Sequence, residues 1–113
     1  MSTRNELLTA PPYPVDLAAK TLGANLRIAR LRRNLSIRQV AHKIGTGPRA
    51  VADAEKGKAS TSIAVYVALL WAYDLLSPFS ALAAPANDDE GLARVRAEGR
   101  QRAHRSDDLD NDF

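Results

Sequence analysis

The punctuation between Ser36 and Gly57 leaves the middle of this chain little choice of fold. Ser36 suits a helix N-cap, and Gln39 three residues later completes a capping box; Leu35 and Val40 hold the two positions of a hydrophobic staple. The pattern predicts a helix over Ile37 to Ile44, with Val40, Ala41 and Ile44 facing inward. Gly45 follows the last apolar residue, where a left-handed residue commonly ends a helix. Thr46 and Gly47 make a turn. Pro48 then fits the first position of a second helix, where its missing N–H costs nothing. That helix runs to about Lys56 and stops at Gly57, with Val51 and Ala54 inward and Arg49, Ala50, Ala52 and Asp53 facing out or sideways.

The 113 residues around this unit suggest one all-α domain with a tail on each side. A core this small buries a modest share of its surface, so stability shared with a partner chain is expected. Residues 1–17 hold Pro11, Pro12 and Pro14 and no periodicity, which reads as a flexible arm. The folded domain is expected over 18–84 and begins with a helix over Leu22 to Arg33, where Leu22, Leu26 and Ala29 share a face. A further helix is predicted from Ser60–Ser62 to about Leu75, and a short one from Pro78 to Ala84. Residues 85–113 read as a charged tail, weakly helical over Asp88 to Glu98 and too polar to order from about Gly99 onward.

Composition removes several function classes. With no cysteine there is no disulfide framework and no thiolate metal site. Neither a catalytic triad nor a phosphate-binding glycine loop is present, so the chain reads as a non-enzyme that needs no cofactor or metal. Residues 1–16 lack the apolar stretch of a signal peptide. The longest apolar run, Ile63 to Tyr73, falls short of the roughly 20 residues that span a bilayer. An intracellular protein is expected.

Charge points to the partner. From Lys20 to Lys58 ten basic residues face two acids, Asp53 and Glu55, a net +8. Residues 85–113 hold five arginines against eight acids, a net −3. A basic block inside the folded region suits a polyanion, although a charge run alone is more often a solvated face. The two punctuated helices change that balance. Joined through Gly45-Thr46-Gly47 they form a helix-turn-helix, which projects the N-terminal residues of its second helix into a DNA major groove. Pro48, Arg49 and Asp53 are then the candidates to face bases. The Arg49 fork can grip guanine O6 and N7 together, and Asp53, one turn on, can accept from a cytosine N4 or hold Arg49 in place. The plainer alternatives are a phosphate clamp for Arg49 and a surface ion pair for Asp53. Arg27, Arg30, Arg38, Lys43, Thr46 and Lys58 are candidates for phosphate contacts, which position a reader without reading sequence.

Residues 22 to about 84 resemble the Xre/Cro-type helix-turn-helix domain. The resemblance rests on Leu22-Gly23, the Arg27/Arg30 pair, Leu35-Ser36, Ala41, Gly45 and Glu55-x-Gly57-Lys58. It implies a compact five-helix fold and a DNA-binding regulator. Two features depart from the family: Ile37 stands where a glutamine is usual, and Asp53 where a base is often found. The longer pattern from SIAVYVALLWAYDLL to DLDNDF is similar to HipB-like antitoxins. That similarity implies a bacterial cytoplasmic autorepressor that binds a pseudo-palindromic operator in double-stranded DNA and a HipA-type kinase toxin.

The segment after the helix-turn-helix bears on assembly. A helix apolar on every face must be buried on every face. The surplus here, with Tyr66, Leu70, Trp71 and Tyr73 as candidates, suits a homodimer interface; the alternative is a central core helix. Leu109 and Phe113, set among aspartates, are candidate partner-binding anchors. Two other functions stay open: a protein–protein adapter that no longer binds DNA usefully, and a general repressor without a toxin partner.

Overall fold

A computed structural model describes residues 5–111, with side chains described to residue 106. Two compact units are present, Met1–Phe79 and Ser80–Phe113. The described residues form seven α-helices and one 3-10 helix, with no strand: α1 (Glu6–Thr9), α2 (Tyr13–Arg32), α3 (Ile37–Ile44), α4 (Pro48–Glu55), α5 (Ile63–Ala72), α6 (Ser77–Ser80), the 3-10 turn Pro85–Asn87 and α7 (Asp89–Asn111). The all-α class is as expected, and α2 to α6 are its five helices.

The helix-turn-helix forms as its punctuation dictates. Ser36 Oγ accepts from the Gln39 N–H at 3.0 Å, and Gln39 Oε1 accepts from the Ser36 N–H at 2.8 Å. Gly45 takes φ 80°, and the Thr46 N–H reaches back to the Ala41 carbonyl at 2.9 Å, which closes α3 with a left-handed cap. Pro48 opens α4.

Three expectations are corrected. The long helix begins at Tyr13, not Leu22, because Pro14 falls in its first turn, where a proline lacks no needed N–H. Asp16 and Lys20, one turn apart, then pair at 2.8 Å. Residues 6–9 also form a turn of helix, capped by Asn5, so the described part of the region expected as a flexible arm is largely helical. At the other end α5 stops at Ala72 and not Leu75, since Asp74 adopts φ 57° and the Leu75 N–H bonds to the Leu70 carbonyl at 2.8 Å. An aspartate tolerates that conformation better than most residues. In the second unit α7 continues through Gly99 to Asn111, past the point where disorder was expected. Asp88 caps it by accepting from the Gly91 N–H, and one-turn pairs Arg94–Glu90 and Arg102–Glu98 stitch its surface.

The core of the first unit is small. Leu26 and Ala29 of α2 meet Val40 and Ala41 of α3, Val51 and Ala54 of α4, and Leu69, Ala72 and Tyr73 from the end of α5. Leu22, Leu35 and Ile44 pack on its margin. Close approach of α2 to the end of α4 rests on two glycines. A Cβ on Gly23 would lie 2.5 Å from the Ala54 carbonyl oxygen, and one on Gly57 would lie 2.6 Å from that of Ala19. Larger residues there would push the backbones apart.

One polar device crosses this core. Arg30, 8% exposed, donates from Nε and Nη2 to the two oxygens of Glu55 at 2.7 and 3.0 Å, and from Nη1 to the Leu35 carbonyl at 2.9 Å. The Glu55 hydrogen bond raises the Arg30 pKa further above its ordinary value, so the guanidinium stays charged. Nearby, the Tyr73 hydroxyl is buried with no hydrogen-bond partner among the described residues.

These two sites should respond oppositely to truncation, as urea unfolding will show. Glu55→Ala strands a buried guanidinium and should cost about 3–5 kcal/mol, much of the roughly 5–15 kcal/mol that holds a small domain. Tyr73→Phe removes an unsatisfied hydroxyl and should be neutral or stabilising. It should also flatten the alkaline limb. Burial raises the Tyr73 pKa in the fold, most of all by desolvation of the phenolate. The unfolded chain ionises near pH 10, so stability is complete below about pH 10 and falls as pH rises through the higher folded value.

Candidate nucleic-acid interface

Helix α4 presents one face to solvent. Arg49, Ala52, Asp53 and Lys56 are spaced three, four and seven residues apart and so share that face, while Val51 and Ala54 are buried behind it. Together with Ile37 of α3, Pro48 and Lys58 they line an open recess of about 420 Å³. A second recess of about 300 Å³ adjoins it, lined by Arg27, Arg30, Ile37, Ala52, Glu55 and Lys56. Ile37, Ala52 and Lys56 belong to both.

Each expected base reader lies at this surface. Arg49 is exposed in the first turn of α4, and its side chain makes no hydrogen bond or ion pair among the described residues. Pro48 precedes it on the rim. Asp53 is half-buried and paired with Lys58 at 3.4 Å. Asp53 thus forms a surface ion pair, with Lys58, and makes no contact that would hold Arg49 in place.

The phosphate candidates separate into two groups. Arg27 lines the second recess, Arg38 is exposed in the first turn of α3, and Lys58 stands on the rim of the first. Thr46 is half-buried in the turn. Arg30 is corrected: it is buried, and Nε, Nη1 and Nη2 each already donate to Glu55 or to the Leu35 carbonyl, so it ties the core together although it borders the second recess. Lys43 turns toward α5, with Nζ 3.4 Å from the Ala72 carbonyl oxygen and 5.8 Å from the centre of the Trp71 ring. Lys56 was not among the expected contacts, although it lines both recesses. Its seven-residue spacing from Arg49 was the available signal.

The pairing of the acids sets the electrostatics. Glu55 is neutralised by Arg30 and Asp53 is paired with Lys58. Arg27, Arg38, Arg49 and Lys56 make no side-chain pair among the described residues. The local field outside α4 is thus positive, as a polyphosphate partner requires.

Of the expected dimer residues, only Trp71 is broadly exposed, at 55%. Tyr66 and Leu70 are half-buried, and the Tyr66 hydroxyl donates to the Lys58 carbonyl at 3.2 Å. Tyr73 is corrected: at 1% exposure it is part of the core, with Arg33 over its ring and bonded to its carbonyl, and it has no surface to offer a second chain. Leu109 lies within the span of α7, but its side chain is outside the described residues, as is Phe113 altogether.

The family model of the helix-turn-helix domain matches residues 21–78, just over half of the chain. The protein belongs to the helix-turn-helix domain family, a class of DNA-binding regulators, in agreement with the Xre/Cro-type resemblance. No curated protein and no solved structure matches it significantly. Among the described residues, no helix is long and apolar enough to cross a membrane.

Two substitutions on this surface should part in their effect on binding. Arg49→Ala should cost about 1–3 kcal/mol on a selected duplex and relax preference at one base pair. Arg38→Ala should weaken binding to all sequences alike and lower the salt slope by about 1. Binding measured over a salt series distinguishes them; an unchanged base preference in Arg49→Ala would make Arg49 a phosphate clamp.

Proposed function

We propose that the protein is a dimeric transcriptional repressor that binds a pseudo-palindromic operator through α4 and acts by binding, not catalysis. The observation that carries this is the outward face of α4. Arg49 stands there ungripped beside unpaired cations, while both acids of the segment are paired within the domain. Such a face suits the major groove, with α3 and the flanking cations along the phosphates.

Dimerisation is supported by α5. Ile63, Val67, Leu70 and Trp71 are spaced four, seven and eight residues apart and form one stripe, with Ile63 67% exposed. The exposed apolar surface of that stripe, chiefly Ile63 and Trp71, favours an interface between copies. Two copies related by a two-fold axis would read half-sites about 34–36 Å apart or a multiple of it. Sedimentation at micromolar concentration should show a dimer, and Trp71→Glu a folded monomer with weakened operator binding. A well-folded wild-type monomer would sink the dimer.

We further propose that the regulator serves as the antitoxin of a HipA-type kinase and acts in the bacterial cytoplasm. Support comes from the similarity of the segment after α4 to HipB-like antitoxins and from the charged tail that ends it. Deleting residues 99–113 should leave operator affinity within a few-fold but weaken kinase capture if Leu109 and Phe113 are anchors. Equal capture by the truncated and full-length chains would remove the tail from the partner interface.

A further inference from the structure

We propose that the paired recesses on α4 form a thymine-methyl site, so that each operator half-site carries a T beside the base read by Arg49. The inference rests on the DNA-binding reading and specifies what that surface recognises. Ile37 is half-buried: it packs on the core and also lines both recesses, as does Ala52. The two side chains form an apolar ridge shared by the recesses, with the Pro48 ring at one margin. Charged groups surround it: Arg27 and the Arg30–Glu55 pair line one recess, Arg49 and the Asp53–Lys58 pair the other, and Lys56 borders both, so the unpaired charges are all cations.

An apolar ridge whose unpaired charged neighbours are all cations matches one feature of duplex DNA. Phosphates meet the cations, and the major groove presents a single apolar group, the 5-methyl of thymine. A glutamine in place of Ile37 would offer a hydrogen-bonding amide; an isoleucine offers only apolar surface, so this position selects a methyl and rejects an unpaired polar edge. Ala52 is small enough to let the base edge approach, and Arg49 lies one helical turn before Asp53 on the same face, within reach of an adjacent base pair.

The test begins by selecting duplexes from a random pool with the full-length protein, then replacing each dT of the selected site by dU, which removes only the methyl group. At one position per half-site the replacement should weaken wild-type binding about three- to fivefold, the worth of one buried methyl. In Ile37→Ala, checked for folding by circular dichroism, the same replacement should matter less than about twofold. Specific binding that no dU replacement weakens, or a selected site without T, overturns the thymine-methyl site and leaves the DNA reading intact. A dU penalty undiminished in folded Ile37→Ala removes Ile37 from it. Absence of any sequence preference overturns both this site and the operator-binding function.

Discussion

The Arg30–Glu55 pair is the constraint on which the domain geometry depends. One guanidinium ties three parts of the chain: α2 carries it, the end of α4 supplies the carboxylate, and the residue before the α3 cap supplies a carbonyl. An ion pair so deeply placed gains little net stability over an apolar replacement. What it does set is direction. Its planar, bidentate geometry holds the end of α4 against α2, where Gly23 and Gly57 already let the backbones approach without intervening side chains. The angle at which α4 leaves the core follows from these contacts.

The same pair governs the electrostatics. The basic segment contains two acids, and with Glu55 spent on Arg30 and Asp53 on Lys58 neither is left to oppose a phosphate. Several cations are also engaged within the domain: Arg30 becomes a buried strut, while Arg33, bonded to the Ala29 and Tyr73 carbonyls, and Lys43, over Trp71, are held at the surface. What remains is a smaller, sorted set centred on Arg49, Lys56, Arg27 and Arg38. A net charge of +8 along the segment thus becomes a directed surface with an apolar ridge in its middle.

Helix α5 completes the balance of the small core. It contributes Leu69 and Ala72 to the interior but leaves Ile63 and Trp71 in the open. A chain of this size has too few neighbouring elements to cover a helix apolar on all sides. The uncovered stripe lies on the far side of that helix from the residues it buries, so association there need not disturb the packing behind α4.

Local signals were legible in the sequence wherever one residue type decides a backbone state. The capping box at Ser36, the left-handed end at Gly45 and the proline start of α4 could be read directly, because each rests on hydrogen bonds within a few residues. The same logic misled at the N-terminus, where prolines tolerated around a first turn were read as a flexible arm; and beyond Gly99 a polar, charged composition was read as disorder although α7 continues there. For the site, spacing alone brought Pro48, Arg49 and Asp53 to one face. Tertiary structure alone decided which charges are spent inside. Arg27 and Arg30 look alike in the sequence, yet one is exposed and the other buried against Glu55, twenty-five residues away. Tyr73 and Trp71 likewise belong to one apolar run; they point to different faces, and only the fold shows that the core meets the face of Leu69 and Tyr73 and leaves Trp71 exposed. Helical periodicity fixes which residues share a face, but burial depends on which distant segment that face meets.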